Sequence, residues 1–184
     1  MKYSVDFNRN NTEGQMDQVE RKALYESALE KKPKNILEIG TWKGGGSTYY
    51  LSAAAYEYDG HLFTIESDYS FYSYAINLYS TQFMELKERV CFLFGKSHDI
   101  IPHLLSLGNF DYVFLDGEEN TEQTLKEFTL LTPCIKPGFT LAMHDIHTSI
   151  KMQKIMPIIK SDPSWIKRCE ITHTSRGFAI YEKS

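Results

Sequence analysis

Two acidic residues and a histidine follow apolar runs of the sequence, where they could share one site. Asp116 follows DYVFL at 111–115, and the pair His144 and Asp145 follows FTLAM at 139–143. If both runs are neighbouring parallel strands, these side chains meet at one edge of a sheet. A histidine supported by a neighbouring carboxylate can act as a general base. The acids could instead only cap the loops after the strands, but their convergence favours a functional site.

A second stretch that could do chemistry is the glycine-rich segment LEIGTWKGGGST at 37–48. Its glycines stand at positions 40, 44, 45 and 46, between an apolar run and a helix-like pattern. Glycine lets a ligand approach backbone N–H groups closely, and a helix start adds partial positive charge. We therefore expect a ligand site here rather than a plain turn. The dinucleotide pattern G-x-G-x-x-G is absent, and Gly46 stands where a P-loop needs lysine, so neither phosphate-binding motif is met.

The elements that must position these residues alternate along the chain. We predict strands at Asn35–Ile39, His61–Glu66, Val90–Phe94, 111–115, 139–143, 166–172 and 178–181, and helices at Gln18–Lys31, 47–58, 71–89, Ser97–Leu107, 121–132 and 149–159. Ser47 or Thr48 is expected to cap the second helix. This alternation predicts an α/β fold with a doubly wound, mostly parallel seven-stranded sheet. The turn between the last two strands is too short for a crossover, so these strands must form an antiparallel hairpin.

Length and composition restrict the class of protein. The 184 residues are expected to form one domain over 1–184, with 1–14 as a loose polar arm. A net charge of −4 argues against a nucleic-acid partner, and no apolar run is long enough for a membrane span. Cys91, Cys134 and Cys169 are widely spaced in apolar surroundings, which predicts buried free thiols and a cytoplasmic location. A homo-oligomer is left open.

The glycine segment resembles motif I of the class I S-adenosylmethionine-dependent methyltransferases, E-x-G-x-x-x-G, through Glu38, Gly40 and Gly44. Glu66 ends the second strand, where that family places the acid that binds both ribose hydroxyls. A carboxylate suits this task because it can accept two hydrogen bonds. Trp42, inside the glycine segment, is the aromatic residue that we expect nearest to the cofactor.

Three later segments continue the resemblance. GKSHDIIP at 95–102 resembles the adenine-side segment of enzymes like catechol O-methyltransferase, with Ser97 and His98 at the positions that touch the base. FDYVFLDG at 110–117 is similar to strand four of the same enzymes. KPGFTLAMHD at 136–145 is similar to strand five of the small methyltransferases that include cephalosporin-hydroxylase-like proteins. Several weak motifs in the right order make the resemblance specific.

The resemblance also bears on a metal ion. In the catechol enzyme a magnesium ion is held by two aspartates and an asparagine, and Asp116, His144 and Asp145 fall on these three positions. Histidine is a poor magnesium ligand, because hard cations prefer oxygen. Two alternatives follow: Asp116 and Asp145 hold Mg²⁺ or another divalent cation, or His144 is a metal-free base. The lysine base of the catechol enzyme corresponds to Glu119, which departs from the pattern.

The implied function is transfer of a methyl group from S-adenosylmethionine to a hydroxyl of a small-molecule acceptor. The implied catalytic residues are His144, Asp145, Asp116 and Glu119. The implied cofactor-binding residues are Glu38, Gly40, Trp42, Gly44, Glu66, Ser97, His98 and Asp116. Because the chain leaves few residues for a lid, a cofactor-binding module completed by a partner is the alternative. A nucleotide- or NAD-binding Rossmann-type protein is disfavoured by the missing G-x-G-x-x-G.

Overall fold

A seven-stranded sheet forms the centre of the protein in the computed structural model, which describes residues 2–8, 14–117, 120–147 and 150–184. The strands are β1 Asn35–Ile39, β2 His61–Glu66, β3 Val90–Phe94, β4 Tyr112–Leu115, β5 Thr140–His144, β6 Trp165–Ile171 and β7 Phe178–Lys183. Their order is β3–β2–β1–β4–β5–β7–β6. The first five strands pair in parallel, whereas β7 pairs antiparallel with both β5 and β6. The predicted α/β sheet with its C-terminal antiparallel hairpin is confirmed.

Helices cover both faces of this sheet. They are α1 Gln18–Lys31, α2 Ser47–Glu57, α3 Tyr69–Thr81, α4 Met84–Lys87, α5 Ser97–Leu107, α6 Thr121–Leu130 and α7 Ile155–Ser161, with 3₁₀ turns at Thr132–Cys134 and Ile150–Met152. Two apolar cores result, one on each face of the sheet. Alternating residues of β1 divide between them, with Ile36 in the first core and Leu37 and Ile39 in the second. A strand buried on both faces explains the unbroken apolar runs of the sequence.

Two predicted helices differ from the observed ones. The predicted helix at 71–89 is α3 followed by α4, because the backbone leaves the helical region at Phe83, with φ −117° and ψ 40°. The predicted helix at 149–159 starts outside the described residues at position 149, and the later part forms a 3₁₀ turn and α7. Hydrophobic periodicity continues across both breaks, so it could not indicate them.

The start of the described chain packs against the domain, in contrast with the expected loose arm. The apolar side chains of Tyr3, Val5 and Phe7 alternate along it and contact the first core. The ring of Phe7 stacks on Tyr50 of α2, with centroids 5.6 Å apart. The backbone N–H groups of residues 2 and 3 donate to the carboxylate of Glu57 at 2.7 Å each. This period-two pattern was the available signal, hidden by the polar composition around it.

None of the helices in the described ranges has the length and apolar character that a membrane crossing requires. The three cysteines are free thiols, as predicted, but only Cys134 is buried, whereas Cys169 is partly exposed and Cys91 is exposed. Cys91 lies on β3, which is an edge strand with a neighbour on one side only, and this explains its exposure.

Candidate active site

The loop between β1 and α2 is shaped by close contacts with neighbouring backbone. Gly40 has a φ of +99°, and a Cβ atom there would lie 2.3 Å from the carbonyl oxygen of Asp116. The N–H groups of Gly40 and Thr41 both donate to the carbonyl of Ile65, at 3.0 and 3.3 Å. Glycine is therefore required because the ends of β1, β2 and β4 converge at this point.

The later glycines of this loop meet two other segments. Gly44 has a φ of +77°, and a Cβ atom there would lie 2.9 Å from the Cβ of Ala75 on α3. A Cβ atom on Gly14 would lie 2.3 Å from the Cα of Gly46, so these two backbones are in direct contact. Gly46 is also the N-cap residue of α2, so the expected cap by Ser47 or Thr48 is wrong. The glycines thus serve backbone packing as well as any ligand approach.

Glu38 lies beneath the loop and is fully buried. Its Oε2 accepts hydrogen bonds from the hydroxyls of Thr48 and Thr64, at 2.7 and 2.6 Å, which ties β1 to α2 and β2. Burial in this apolar environment raises the pKa of Glu38 to about 7, despite these hydrogen bonds. The hydroxyl of Thr48 therefore supports the glutamate rather than a helix start.

Glu66, at the end of β2, is held at the rim of a cavity by two backbone N–H groups. Trp42 donates to Oε2 at 2.7 Å, and Asp68 donates to Oε1 at 2.8 Å. Trp42 reaches this position with a φ of 48°, which is uncommon for a residue with a side chain. Its ring packs against Phe71 of α3, with centroids 5.8 Å apart. Both carboxylate oxygens keep lone pairs that could accept further hydrogen bonds.

Ser97 and His98 begin α5 and share polar partners on α6. The Nε2 atom of Gln123 lies 3.0 Å from Ser97 Oγ, 3.2 Å from His98 Nδ1 and 3.2 Å from Glu127 Oε1. The hydroxyl of Ser97 also donates to Glu127 Oε1. This network fixes the start of α5, which lines the cavity together with Asp116 and Asp145.

Asp116, His144 and Asp145 come together as the sequence predicts, since β4 and β5 are parallel neighbours. One atom of each side chain that could bind a metal ion lies within 4.8 Å of the corresponding atoms of the other two. The Nδ1 atom of His144 is 3.3 Å from Asp116 Oδ1. Its Nε2 atom is 3.2 Å from the Oε2 of Glu20, which comes from α1. Both ring nitrogens of His144 therefore face carboxylate oxygens.

The charges of this cluster reinforce one another. Burial opposes the charged form of His144, but the carboxylates of Asp116, Glu20 and Asp145 outweigh burial and raise its pKa to about 10. Burial likewise opposes ionisation of Asp116, but the ammonium of Lys151 and the imidazole of His144 hold its pKa below the usual value. The cluster is thus an array of alternating charges, with His144 as an imidazolium.

Two further cations complete the array. Lys151, whose side chain is 1% exposed, donates from Nζ to Asp116 Oδ1 at 2.9 Å and to Asp145 Oδ2 at 3.1 Å. Arg176, from the turn between β6 and β7, donates from an Nη atom to Asp145 Oδ1 at 3.2 Å. We call Glu20, Asp116, His144, Asp145, Lys151 and Arg176 the charged cluster.

A cavity of about 680 Å³ connects these groups. The predicted residues that line it are Gly40, Trp42, Glu66, Ser97, His98, Asp116 and Asp145. Glu38 and His144 are buried behind its wall, and Gly44 packs against α3. Glu119 lies outside the described residues. The cavity opens beyond the carboxyl ends of the parallel strands, where α/β folds place their ligands.

Comparison with known families adds to this geometry. A family model described as a methyltransferase domain matches residues 37–146, which run from within β1 through the glycine loop to just past the end of β5. The chain belongs to this family of methyltransferase domains. No curated protein matches this methyltransferase domain by sequence.

Solved structures share the fold of this methyltransferase domain. The O-methyltransferase TomG from Streptomyces achromogenes, involved in tomaymycin synthesis and solved in complex with SAM, is 24% identical with a TM-score of 0.76. The similarity covers 92% of this chain and 82% of that one. An O-methyltransferase from Bacillus cereus in complex with SAH is 19% identical with a TM-score of 0.77, covering 92% and 83% of the two chains.

Three residues of the charged cluster in this methyltransferase domain were not predicted. Glu20 lies on α1, Lys151 in a 3₁₀ turn and Arg176 in a hairpin turn, and none of them belongs to a motif. The available signal was that two acids and a histidine at buried strand ends need partners of opposite charge. The sequence could indicate this need but not which residues fulfil it.

Proposed function

We propose that the chain is an S-adenosylmethionine-dependent methyltransferase that acts on a hydroxyl group of a small molecule. The observation that carries this proposal is the placement of Glu66, an acid fixed by two backbone N–H groups beside the glycine loop at the cavity rim. Its remaining lone pairs suit the two hydroxyls of a ribose. Membership of a methyltransferase domain family supports the proposal, as do similar folds solved with SAM and SAH.

The residues present fit this cofactor. We propose that Gly40, Trp42, Glu66, Ser97, His98 and Asp116 contact it, because each of them lines the cavity. Glu66 would bind the ribose, and Ser97 and His98 the base. We propose that Glu38 and Gly44 contribute indirectly, since Glu38 anchors the loop from below and Gly44 packs it on α3.

The acceptor hydroxyl is proposed to bind at the end of the cavity where Asp116, Asp145, Lys151 and Arg176 meet. When bound, S-adenosylmethionine would supply an activated methyl group, and transfer of this group to the acceptor oxygen would leave the electron pair of the broken carbon–sulfur bond on sulfur. Asp116, which is partly exposed to the cavity, accepts the hydrogen bond of the acceptor hydroxyl and passes its proton to solvent. Orientation of this hydroxyl is the main contribution that the chain makes.

His144 is proposed to position Asp116 rather than to act as the base. Its side chain is 1% exposed, and both of its ring nitrogens face carboxylates, so no lone pair is directed towards the cavity. Asp145 is proposed to hold Lys151 and Arg176 in place. Glu119 remains a candidate base from the resemblance alone. The free cysteines support the further proposal of a cytoplasmic location.

Calorimetric titration of the purified chain with S-adenosylmethionine, S-adenosylhomocysteine and NAD tests the cofactor. We expect the first two to bind and NAD not to bind. Changing Glu66→Gln should weaken binding by about 1–3 kcal/mol, since one carboxylate oxygen becomes a donor facing donors. Glu85→Gln on the exposed face of α4 is the matched control and should bind like the wild type. Equal affinity of the Glu66 variant and the wild type would remove the ribose assignment.

A panel of hydroxyl acceptors, assayed for S-adenosylhomocysteine formation, then tests catalysis. Turnover of at least one acceptor by the isolated chain supports the enzyme. Cofactor binding without turnover on any acceptor favours a binding module whose acceptor site is completed by a partner.

A further inference from the structure

The ammonium of Lys151 lies between the two carboxylates that the resemblance assigns to a divalent cation. Its Nζ atom is 2.9 Å from Asp116 Oδ1 and 3.1 Å from Asp145 Oδ2. The side chain is 1% exposed, so it cannot exchange these partners for water without moving out of the interior. A charge-assisted contact of this length to two carboxylates at once fills the position where an ion would bridge them.

The third residue of the expected ligand set is also engaged. His144 faces Asp116 Oδ1 through Nδ1 at 3.3 Å and Glu20 Oε2 through Nε2 at 3.2 Å. A neutral imidazole donates a hydrogen bond from one nitrogen only. Because each ring nitrogen of His144 faces a carboxylate oxygen, which can only accept, both nitrogens must carry a proton. A histidine that donates from both nitrogens has no lone pair left for a metal ion. The donor set therefore does not fit a divalent cation.

The charge balance of the cluster leads to the same result. Within the described residues, the carboxylates of Glu20, Asp116 and Asp145 face three basic side chains, namely His144, Lys151 and Arg176. A divalent ion would have to displace the buried ammonium and leave it without its two carboxylates. Removing one partner of a buried charge pair is strongly unfavourable.

We propose that the Lys151 ammonium takes the place of a divalent cation in this protein, so that the site binds no such ion and methyl transfer needs none. The second half of this statement rests on the proposed function, whereas the first does not. Two protons of the ammonium are donated to Asp116 and Asp145. Lys151 also lines the cavity, so its third proton can be donated to the acceptor oxygen. Its charge then stabilises that oxygen as the hydroxyl proton leaves.

The test is a titration of the full chain with Mn²⁺, followed through the electron paramagnetic resonance signal of the free ion. We expect the wild type to leave this signal unchanged. Lys151→Ala removes the ammonium that lies between the two carboxylates, and its affinity for Mn²⁺ should exceed that of the wild type by about tenfold or more. The matched control is Lys154→Ala, because Lys154 is about half exposed and pairs with Glu122 away from the cluster. This control should behave like the wild type.

Stoichiometric binding of Mn²⁺ by the wild type would overturn the proposal, whether or not the Lys151 variant folds. An unchanged affinity in a folded Lys151→Ala variant would also overturn it, since the ammonium would then not be what excludes the ion. Neither result depends on S-adenosylmethionine, so a failure of the proposed function would appear separately in the cofactor titration. Once an acceptor is found, turnover that survives a chelator supports the second half, and turnover restored only by Mg²⁺ contradicts it.

Discussion

Replacing Glu38 by glutamine should stabilise the fold above neutral pH, with little effect in acid. The pKa of this carboxyl rises from 4.5 in the unfolded chain to about 7 in the fold, because Glu38 is fully buried. A raised pKa in the folded state contributes stability that is present below pH 4.5 and is lost as the pH rises through 7. One pKa unit corresponds to about 1.4 kcal/mol, so ionisation of Glu38 destabilises the fold by about 3 kcal/mol at pH 8.

Glutamine keeps the interactions that matter at this position. Its amide oxygen can accept from Thr48 and Thr64 as Oε2 does now, and no charge has to be buried. Chemical denaturation of the ligand-free wild type and Glu38→Gln at pH 5 and pH 8 measures the effect. We expect the free energy of unfolding of the variant, relative to that of the wild type, to be higher at pH 8 than at pH 5. Glu30→Gln, on the exposed surface of α1, is the control and should show no such gain.

The comparison of the two variants isolates Glu38 from other groups that titrate in this range. If the free energies of unfolding of Glu38→Gln and the wild type differ by the same amount at pH 5 and at pH 8, the assignment of a raised pKa is refuted. It would mean that the carboxyl is ionised in both states, stabilised by its hydroxyl partners more than burial opposes it.

Two further predictions concern the charged cluster and the glycine loop. His144→Gln should destabilise the fold by about 3–5 kcal/mol, because it removes the cation that faces the carboxylates of Glu20 and Asp116. Since the pKa of His144 rises from 6.5 to about 10 on folding, this loss should be largest below pH 6.5 and shrink as the pH approaches 10, as denaturation at several pH values will show. Gly138, which precedes β5, serves as the comparison for Gly40, because an added Cβ atom there would meet nothing within 4 Å. Gly138→Ala should lower the free energy of unfolding by about 1–2 kcal/mol, through its φ of +90° alone. Gly40→Ala adds a clash with the carbonyl of Asp116 and should cost about 1–3 kcal/mol more, and equal melting temperatures for the two variants would contradict this.

The fold was predictable because its strands are buried on both faces. Such strands produce unbroken apolar runs, and the short turn before β7 leaves only an antiparallel pairing. The helix breaks at Phe83 and after Met152 were not predictable, since apolar periodicity runs across them.

The residues of the candidate site that directly follow strands could be predicted, whereas those that come from other elements could not. Asp116, His144 and Asp145 meet because β4 and β5 are parallel neighbours, which the pattern implies. Lys151 and Glu20 reach the same point from a 3₁₀ turn and from α1, and their positions depend on tertiary packing alone. The glycines of the loop were predicted to admit a ligand, but close contacts with Asp116 and Ala75 already require glycine at positions 40 and 44.

The contacts of Glu20 join parts of the chain that are far apart in sequence, and this has a consequence for folding. Glu20 binds His144 at a separation of 124 residues and Thr174 at a separation of 154. Contacts over such separations form late, because the closure of long loops must precede them. During synthesis α1 emerges long before either partner, so Glu20 has no counter-charge until β5 is in place and no contact with Thr174 until the final hairpin docks. We expect refolding to pass through a state in which the parallel strands are paired but the contact between Glu20 and Thr174 has not yet formed.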